Sequence, residues 1–265
     1  MLNFLSKYFH FQKRKQQTVY QIMIDRFANG SKFLKNNIGV IPPPFLGGNI
    51  KGIIKRLNYI EGLGTNSILL SPFFKSNAYH GYHCTTSSNE IEPQFGNEED
   101  IRRLVKQIKE RKMTCGADFV PNHCHITNPI YVKHADWFEF PNKEHKFYAN
   151  IKDLPVLNLD HPEALKYMIK QALQLCEWGF NYIRIDHVDR ILYYCKNIDK
   201  VKEVLDFTYS WKRPVVIYYG TEQGMSNKTA IHQVAYDDES VRLCMDWNNI
   251  NKNVFKTIYP CRINE

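Results

Sequence analysis

Apolar runs with strand-like patterns alternate along this chain with runs at helical spacing. "TVYQIMIDRF" reads as a first strand, ending at residues 25–27. The helix "IKGIIKRLNYIEGLG" follows the loop "IPPPFLGGN", with Asn49 as its N-cap and Gly64 as its stop. "NSILLSPFF" is almost continuously apolar, the pattern of a strand covered on both faces of a parallel sheet. "EEDIRRLVKQIKERKM" repeats with a helical period, and "TCGADFVPNH" reads as a third strand with a polar end. In "DHPEALKYMIKQALQLCEWG", Asp160 is the cap candidate, Pro162 falls in the first turn and Gly179 lies past the end. "FNYIRID" reads as a buried fourth strand, with Ile183 and Ile185 on one face and Arg184 and Asp186 on the other. A helix over residues 199–210 then leads into the strand "PVVIYYG". Residues 221–265 read as loop with a short helix at 251–257, and segments 75–97 and 124–158 carry few regular signals.

Such alternation predicts an α/β fold with parallel strands, whose chemistry sits at the carboxyl ends of the strands. Those ends carry Asp25, Pro72, Asp118 with Asn122 and His123, Asp186, and Tyr219 with Glu222. A (β/α)8 barrel would gather these residues at its active-site face. Arg184, two positions before Asp186, suits a carboxylate kept ionised and aimed at a substrate. No linker divides the chain, so residues 18–265 read as one domain behind a basic segment, 1–17.

Composition narrows the classes. With 43% hydrophobic and 23% charged residues the chain is ordinary for a globular protein. No apolar run approaches the roughly 18–20 residues of a membrane span. The N-terminal basic cluster follows its apolar stretch, the wrong order for a secretory signal. Seven scattered cysteines suit reduced thiols, and together these features predict a cytoplasmic protein with no membrane partner. The net charge of +8 is spread along helices such as "IRRLVKQIKERKM", which predicts solvated helix faces and no nucleic-acid partner. "HCH" at 123–125 lacks a second ligand pair at zinc spacing, and "GGNIKG" resembles a phosphate loop only in its glycines.

Several separated segments, taken in order, resemble the alpha-amylase family of glycoside hydrolases. "VYQIMIDRFANG" is similar to that family's first-strand signature, and "YHGYHCTTSSNEIEPQFGNEEDIRRLV" to its substrate-loop motif. "DFVPNH" resembles the third-strand motif, "LPVLNLDHPEA" the lead-in to the fourth strand and "IRID" the nucleophile strand. "PVVIYYGTEQGMS" resembles the eighth strand and its loop. The resemblance implies α-glucosidic linkages of starch, glycogen or maltooligosaccharides as substrates, cleaved by a retaining mechanism. It makes Asp186 the nucleophile and Arg184 the group that orients it, lowering its pKa by roughly 1–3 units. Tyr82, His80 and His123 become sugar contacts, Tyr82 by stacking, and Asp118 a buried partner of Arg184. Asn122 resembles a calcium ligand of many members; no other cofactor is implied. His83 replaces the aspartate of the family's "HGYD", in a loop one residue longer, and Arg190 stands where many members have a histidine or lysine.

Retaining glycosidases need a second carboxyl group, roughly 5–5.5 Å from the nucleophile. In this family it is a glutamate after the fifth strand, assisted by an aspartate in a His-Asp pair after the seventh. Asp186 and Tyr218 are only about thirty residues apart, whereas one βαβ unit alone takes roughly thirty. "GFNYIRIDHV" and "DRILYYCKNIDKVKEVLDF" resemble distant family segments that meet near Val188 and Asp189. The barrel is therefore expected to be incomplete, with about five parallel strands in the order eight, one, two, three, four and most of the usual C-terminal β domain absent. Glu222, Asp189, Glu90 and Glu92 are the candidate replacements for the acid. The expectation is a glycosidase homologue of impaired catalysis; the alternative is a non-catalytic, sugar-binding or inactive barrel fragment. The fourth strand becomes an exposed edge, which predicts self-association.

Overall fold

The computed structural model describes residues 17–31, 44–140, 146–148, 151–186 and 215–218. Five parallel strands form one sheet: β1 (Thr18–Ile22), β2 (Ser67–Leu70), β3 (Thr114–Phe119), β4 (Tyr182–Ile185) and β5 (Val215–Tyr218). Their order is β4-β3-β2-β1-β5, that expected for a barrel's first four strands flanked by its eighth. Among the described residues the sheet is open between β4 and β5, so it forms only part of a barrel.

The first strand is shorter than its sequence suggested. It stops at Ile22, and Ile24–Phe27 is a helical turn (α1). Burial drives that departure: Asp25 and Arg26 are buried as an ion pair, and the Asp25 carboxylate accepts from the backbone N–H groups of Leu46 and Gly47. An extended strand would not turn the carboxylate back onto that loop.

Helix α2 (Ile50–Gly62) starts at Asn49, whose side chain accepts from the Gly52 amide at 2.8 Å, and buries Ile50, Ile53, Leu57 and Ile60. After it, Gly64 takes φ +74°, a conformation open to glycine at little cost. Helix α3 (Glu98–Glu110) is capped by Asn97, and three acidic residues in its first turn face the positive end of the helix dipole. Ile101, Leu104, Val105 and Ile108 pack it on the core. Within the irregular 124–158 segment lie a short helix, α4 (Pro129–Lys133), and a 3₁₀ turn at Ala135–Trp137.

Helix α5 (Pro162–Glu177) begins at His161, without a side-chain cap. Asp160 is not the cap; its amide instead closes a turn onto the Asn158 side chain at 3.1 Å. Gly179 lies past the helix end with φ +95°. One face of α5 buries Ala164, Met168 and Leu175, while Leu165, Ile169 and Leu173 stay exposed. Strand β4 is likewise not fully buried: Ile185 is 40% exposed, because no strand covers that edge among the described residues. The helix expected at 199–210, the one at 251–257, and the junction near Val188 and Asp189 lie outside the described residues. No helix among those described is long and apolar enough to cross a membrane.

Tyr182 locks β4 in register. Its ring lies against Gly116 of β3 so closely that a Cβ there would sit 2.2 Å from the ring. Its hydroxyl reaches Ser67 of β2 at 2.8 Å, and burial pushes its pKa up to about 12. Register pairing then sets Asp118 beside Arg184.

Candidate active site

The site is assembled by two strand ends and one loop. Asp118, next to last in β3, has a fully buried side chain. Arg184 is its register partner on β4, and its Nη1 pairs with Asp118 Oδ2. The same guanidinium extends Nη2 to Asp186 Oδ1 at 3.1 Å. Asp186 is further held by its own amide, which donates to the Phe119 carbonyl at 2.9 Å. Tyr82 completes the network by donating its hydroxyl to Asp118 Oδ2 at 2.7 Å.

Gly81 makes this approach possible. At φ +83°, a Cβ would stand 2.0 Å from the Pro72 carbonyl oxygen, so the loop carrying Tyr82 can pass the end of β2 only with glycine there. His80 sits on the same turn, where its Nδ1 accepts from the Tyr82 amide at 3.1 Å, and its ring meets those of Tyr79 and His83 edge-on. His83, at the position of the expected aspartate, therefore joins an aromatic cluster.

Electrostatics follow from burial. Desolvation pushes the Asp118 carboxyl up to about 6, against the opposing pull of the Tyr82 hydroxyl and the Arg184 charge. Burial, reinforced by Asp118, raises the Tyr82 hydroxyl well above its usual range, so it stays a donor. For Arg184 burial is the largest single effect and works downward, but Asp118, Tyr82 and Asp186 together outweigh it and the net shift is upward. Asp118 Oδ1 is buried without a hydrogen-bond partner and belongs to a cavity also lined by Pro72, Gly81, Cys84, His123 and Cys124.

His123 is buried just past β3. Its imidazole stacks on Tyr148 with ring centroids 4.3 Å apart and planes within 7°. Its Nδ1 lies 3.2 Å from the Asn122 amide nitrogen, which makes Nδ1 the acceptor of that bond. The Asn122 carbonyl accepts from the Leu157 amide, tying the β3 exit to the 151–158 segment. Among the described residues no group of three His, Cys, Asp or Glu side chains gathers to hold a metal. Arg190, the other position that the resemblance connects with calcium, lies outside them, as do Asp189, Tyr219 and Glu222. Of the remaining candidate acids, Glu90 pairs with Lys75 on the surface, and buried Glu92 accepts from the Ser76 amide.

Asp186, Arg184, Asp118 and Tyr82 thus form one connected group, with His80 joined to it through the Tyr82 amide. His123 lines the same cavity from the β3 exit, and Asn122 is hydrogen-bonded to it. Sequence reading had singled out neither Tyr148 nor Gly81: the first lies in an irregular segment, and the second acts through a close approach to Pro72. A glycine beside the two aromatic residues of "YHGY" was the one available signal for the latter.

Carboxylates gathered by a guanidinium at the carboxyl ends of parallel strands define the site of a barrel-type α/β protein. The chain belongs to the alpha-amylase family: the family description "Alpha amylase, catalytic domain" matches residues 21–182. Alpha-amylase 2 of Dictyoglomus thermophilum is 38% identical over 182 residues, covering 65% of this chain and 32% of that protein. The intracellular maltogenic amylase of Bacillus subtilis is 36% identical over 199 residues, covering 67% and 34%. In structure, the type III pullulan hydrolase from Thermococcus kodakarensis superposes with a TM-score of 0.57 at 28% identity, covering 77% of this chain and 42% of that one. The chain spans about a third of the length of the two curated relatives.

Proposed function

We propose that the chain binds α-glucans or maltooligosaccharides at Asp186 and turns them over weakly. The carrying observation is the Arg184 guanidinium shared between Asp118 and Asp186. It sets a positive charge beside Asp186 and orients one of its oxygens, as a glycosyl-forming nucleophile requires. Asp186 keeps 12% of its side chain exposed, enough for an anomeric carbon to be approached from the open side. Tyr82, His80 and His123 supply the sugar contacts in this reading, with Asp118 supporting Arg184.

Weak turnover is the reading because the stretch between Asp186 and Tyr218 is too short to hold the family's general-acid glutamate and its His-Asp pair, and Asp118 is no substitute. Asp118 has the raised pKa of a general acid, about 6, but its side chain is 0% exposed. A glycosidic oxygen cannot come within the roughly 2.6–3.2 Å that proton transfer needs. Hydrolysis of maltotriose should therefore stay near background, while a glycosyl fluoride, whose leaving group needs little protonation, should react through Asp186. Robust maltotriose cleavage that Asp186→Asn abolishes would overturn the impaired-acid reading. Failure of both maltoheptaose binding and fluoride turnover would overturn the sugar-site reading itself.

The likeness to an intracellular maltogenic amylase and the free thiols at Cys84, Cys115, Cys124 and Cys176 support a cytoplasmic setting. Two features among the described residues support self-association: the β4 edge and the exposed apolar stripe of α5.

A further inference from the structure

Cys84 and Cys124 take no part in the carboxylate network, yet both line the cavity into which Asp118 faces. Their segments are joined by a backbone hydrogen bond, the His125 amide donating to the Cys84 carbonyl at 2.9 Å. One peptide link on each side of that bond holds the two Cα atoms within about 8 Å of each other. A disulfide needs about 4.4–6.8 Å between Cα atoms, with side chains turned toward a common space. Both residues line one cavity, and the Cys84 thiol lies near enough to Cys124 to act on it electrostatically. Asn128 braces the arrangement, its side-chain amide donating to the carbonyls of Cys84 and Thr86.

We infer that Cys84 and Cys124 are a redox pair whose disulfide fastens the loop carrying Tyr82 to the β3 exit carrying His123. The oxidant in this step is hydrogen peroxide. Cys84, the less buried of the two, attacks first. Its thiolate displaces hydroxide from peroxide, leaving a sulfenic acid. The Cys124 thiolate then attacks the Cys84 sulfur and expels a second hydroxide. The two thiol protons convert both hydroxides to water, so the sum is two thiols plus hydrogen peroxide to one disulfide plus two waters.

Burial sets the rate. It pushes the Cys84 thiol up to about 11, and burial together with the neighbouring Cys84 holds Cys124 well above the usual thiol range. The thiolate fraction, and with it the rate, should therefore rise about tenfold per pH unit near neutrality. Cross-linking rests on local geometry alone and does not depend on the glucan reading.

The test is peptide mapping of the full chain after treatment with hydrogen peroxide and alkylation. A Cys84–Cys124 cross-linked peptide should form, about tenfold faster at pH 8 than at pH 7. The oxidised protein should melt about 5 °C or more above the reduced form, because a loop of some forty residues is closed. Cys124→Ser should leave a Cys84 sulfenic acid that dimedone traps, whereas the unsubstituted chain should accumulate none. Cross-links confined to other cysteines, or equal dimedone labelling with and without Cys124, would overturn the proposal.

Discussion

Asp118 and Arg184 are register partners on adjacent parallel strands, and one guanidinium joins the buried carboxylate of the first to the more accessible carboxylate of Asp186. Strand pairing thereby becomes site geometry. Among the described residues β4 is an edge strand, so the side-chain bridge also supplements its single ladder of backbone hydrogen bonds there.

Arg184→Lys should separate the two roles of the bridge. A single ammonium cannot reproduce the two-pronged contact. We expect a loss of about 1–3 kcal/mol, kept modest because the Arg184 side chain is 43% exposed. Glucan affinity should fall with it. Unchanged denaturant midpoints and unchanged maltoheptaose affinity would show that the bridge is incidental.

Asp118 should tilt the pH dependence of stability. Its pKa rises from 3.8 to about 6 on folding, so the native state holds a proton that the unfolded chain has released. The favourable contribution is present at low pH and is lost as pH climbs through about 6, on the order of 2–3 kcal/mol. Asp25, also raised by burial, slopes the same way. The difference between the unsubstituted chain and Asp118→Asn should therefore change between pH 4 and 7; parallel stability curves would refute the assignment.

Tyr82→Phe should move that titration. The Tyr82 hydroxyl bond lowers the Asp118 pKa, so its removal should carry the midpoint upward from about 6. Carboxyl carbon shifts followed by NMR would read this directly. A downward or absent displacement would mean that Tyr82 does not hold Asp118.

Gly81→Ala should be costly far beyond its size. A methyl group would meet the Pro72 carbonyl at 2.0 Å in a backbone with φ +83°. About 2 kcal/mol or more of stability should be lost, together with the Tyr82–Asp118 contact. An alanine variant with an unaltered melt would contradict the close approach.

The exposed stripe of α5 should promote association. Leu165, Ile169 and Leu173 lie one turn apart and are 43%, 50% and 56% exposed. Sedimentation should show concentration-dependent species that Ile169→Lys with Leu173→Lys reduces. A compact monomer at every concentration, melting cooperatively above about 60 °C, would sink this expectation.

Strands and helices were legible wherever burial or a local cap dictated the pattern. The apolar run at 67–70 became β2, and the Asn49 and Asn97 positions became caps because their side chains accept amide hydrogens locally. Local chemistry misled at Asp160, where a plausible cap lay one residue before the helix's actual first boundary. It also misled at residues 24–27, where burial of the Asp25–Arg26 pair overrode a strand-like pattern.

By itself the sequence determined the family and the strand order, and it singled out Arg184, Asp186, Asp118 and Tyr82 as candidates, because these reside in short motifs whose order survives without coordinates. Tertiary structure alone decided that Tyr82 donates to Asp118, that Tyr148 covers His123, and that Gly81 slips past Pro72. Those contacts join residues far apart in the chain or depend on a loop's path past a strand end, and no local period encodes either. Structure also set the depth of Asp118, and burial, a property of the whole packed core, is what raises its pKa.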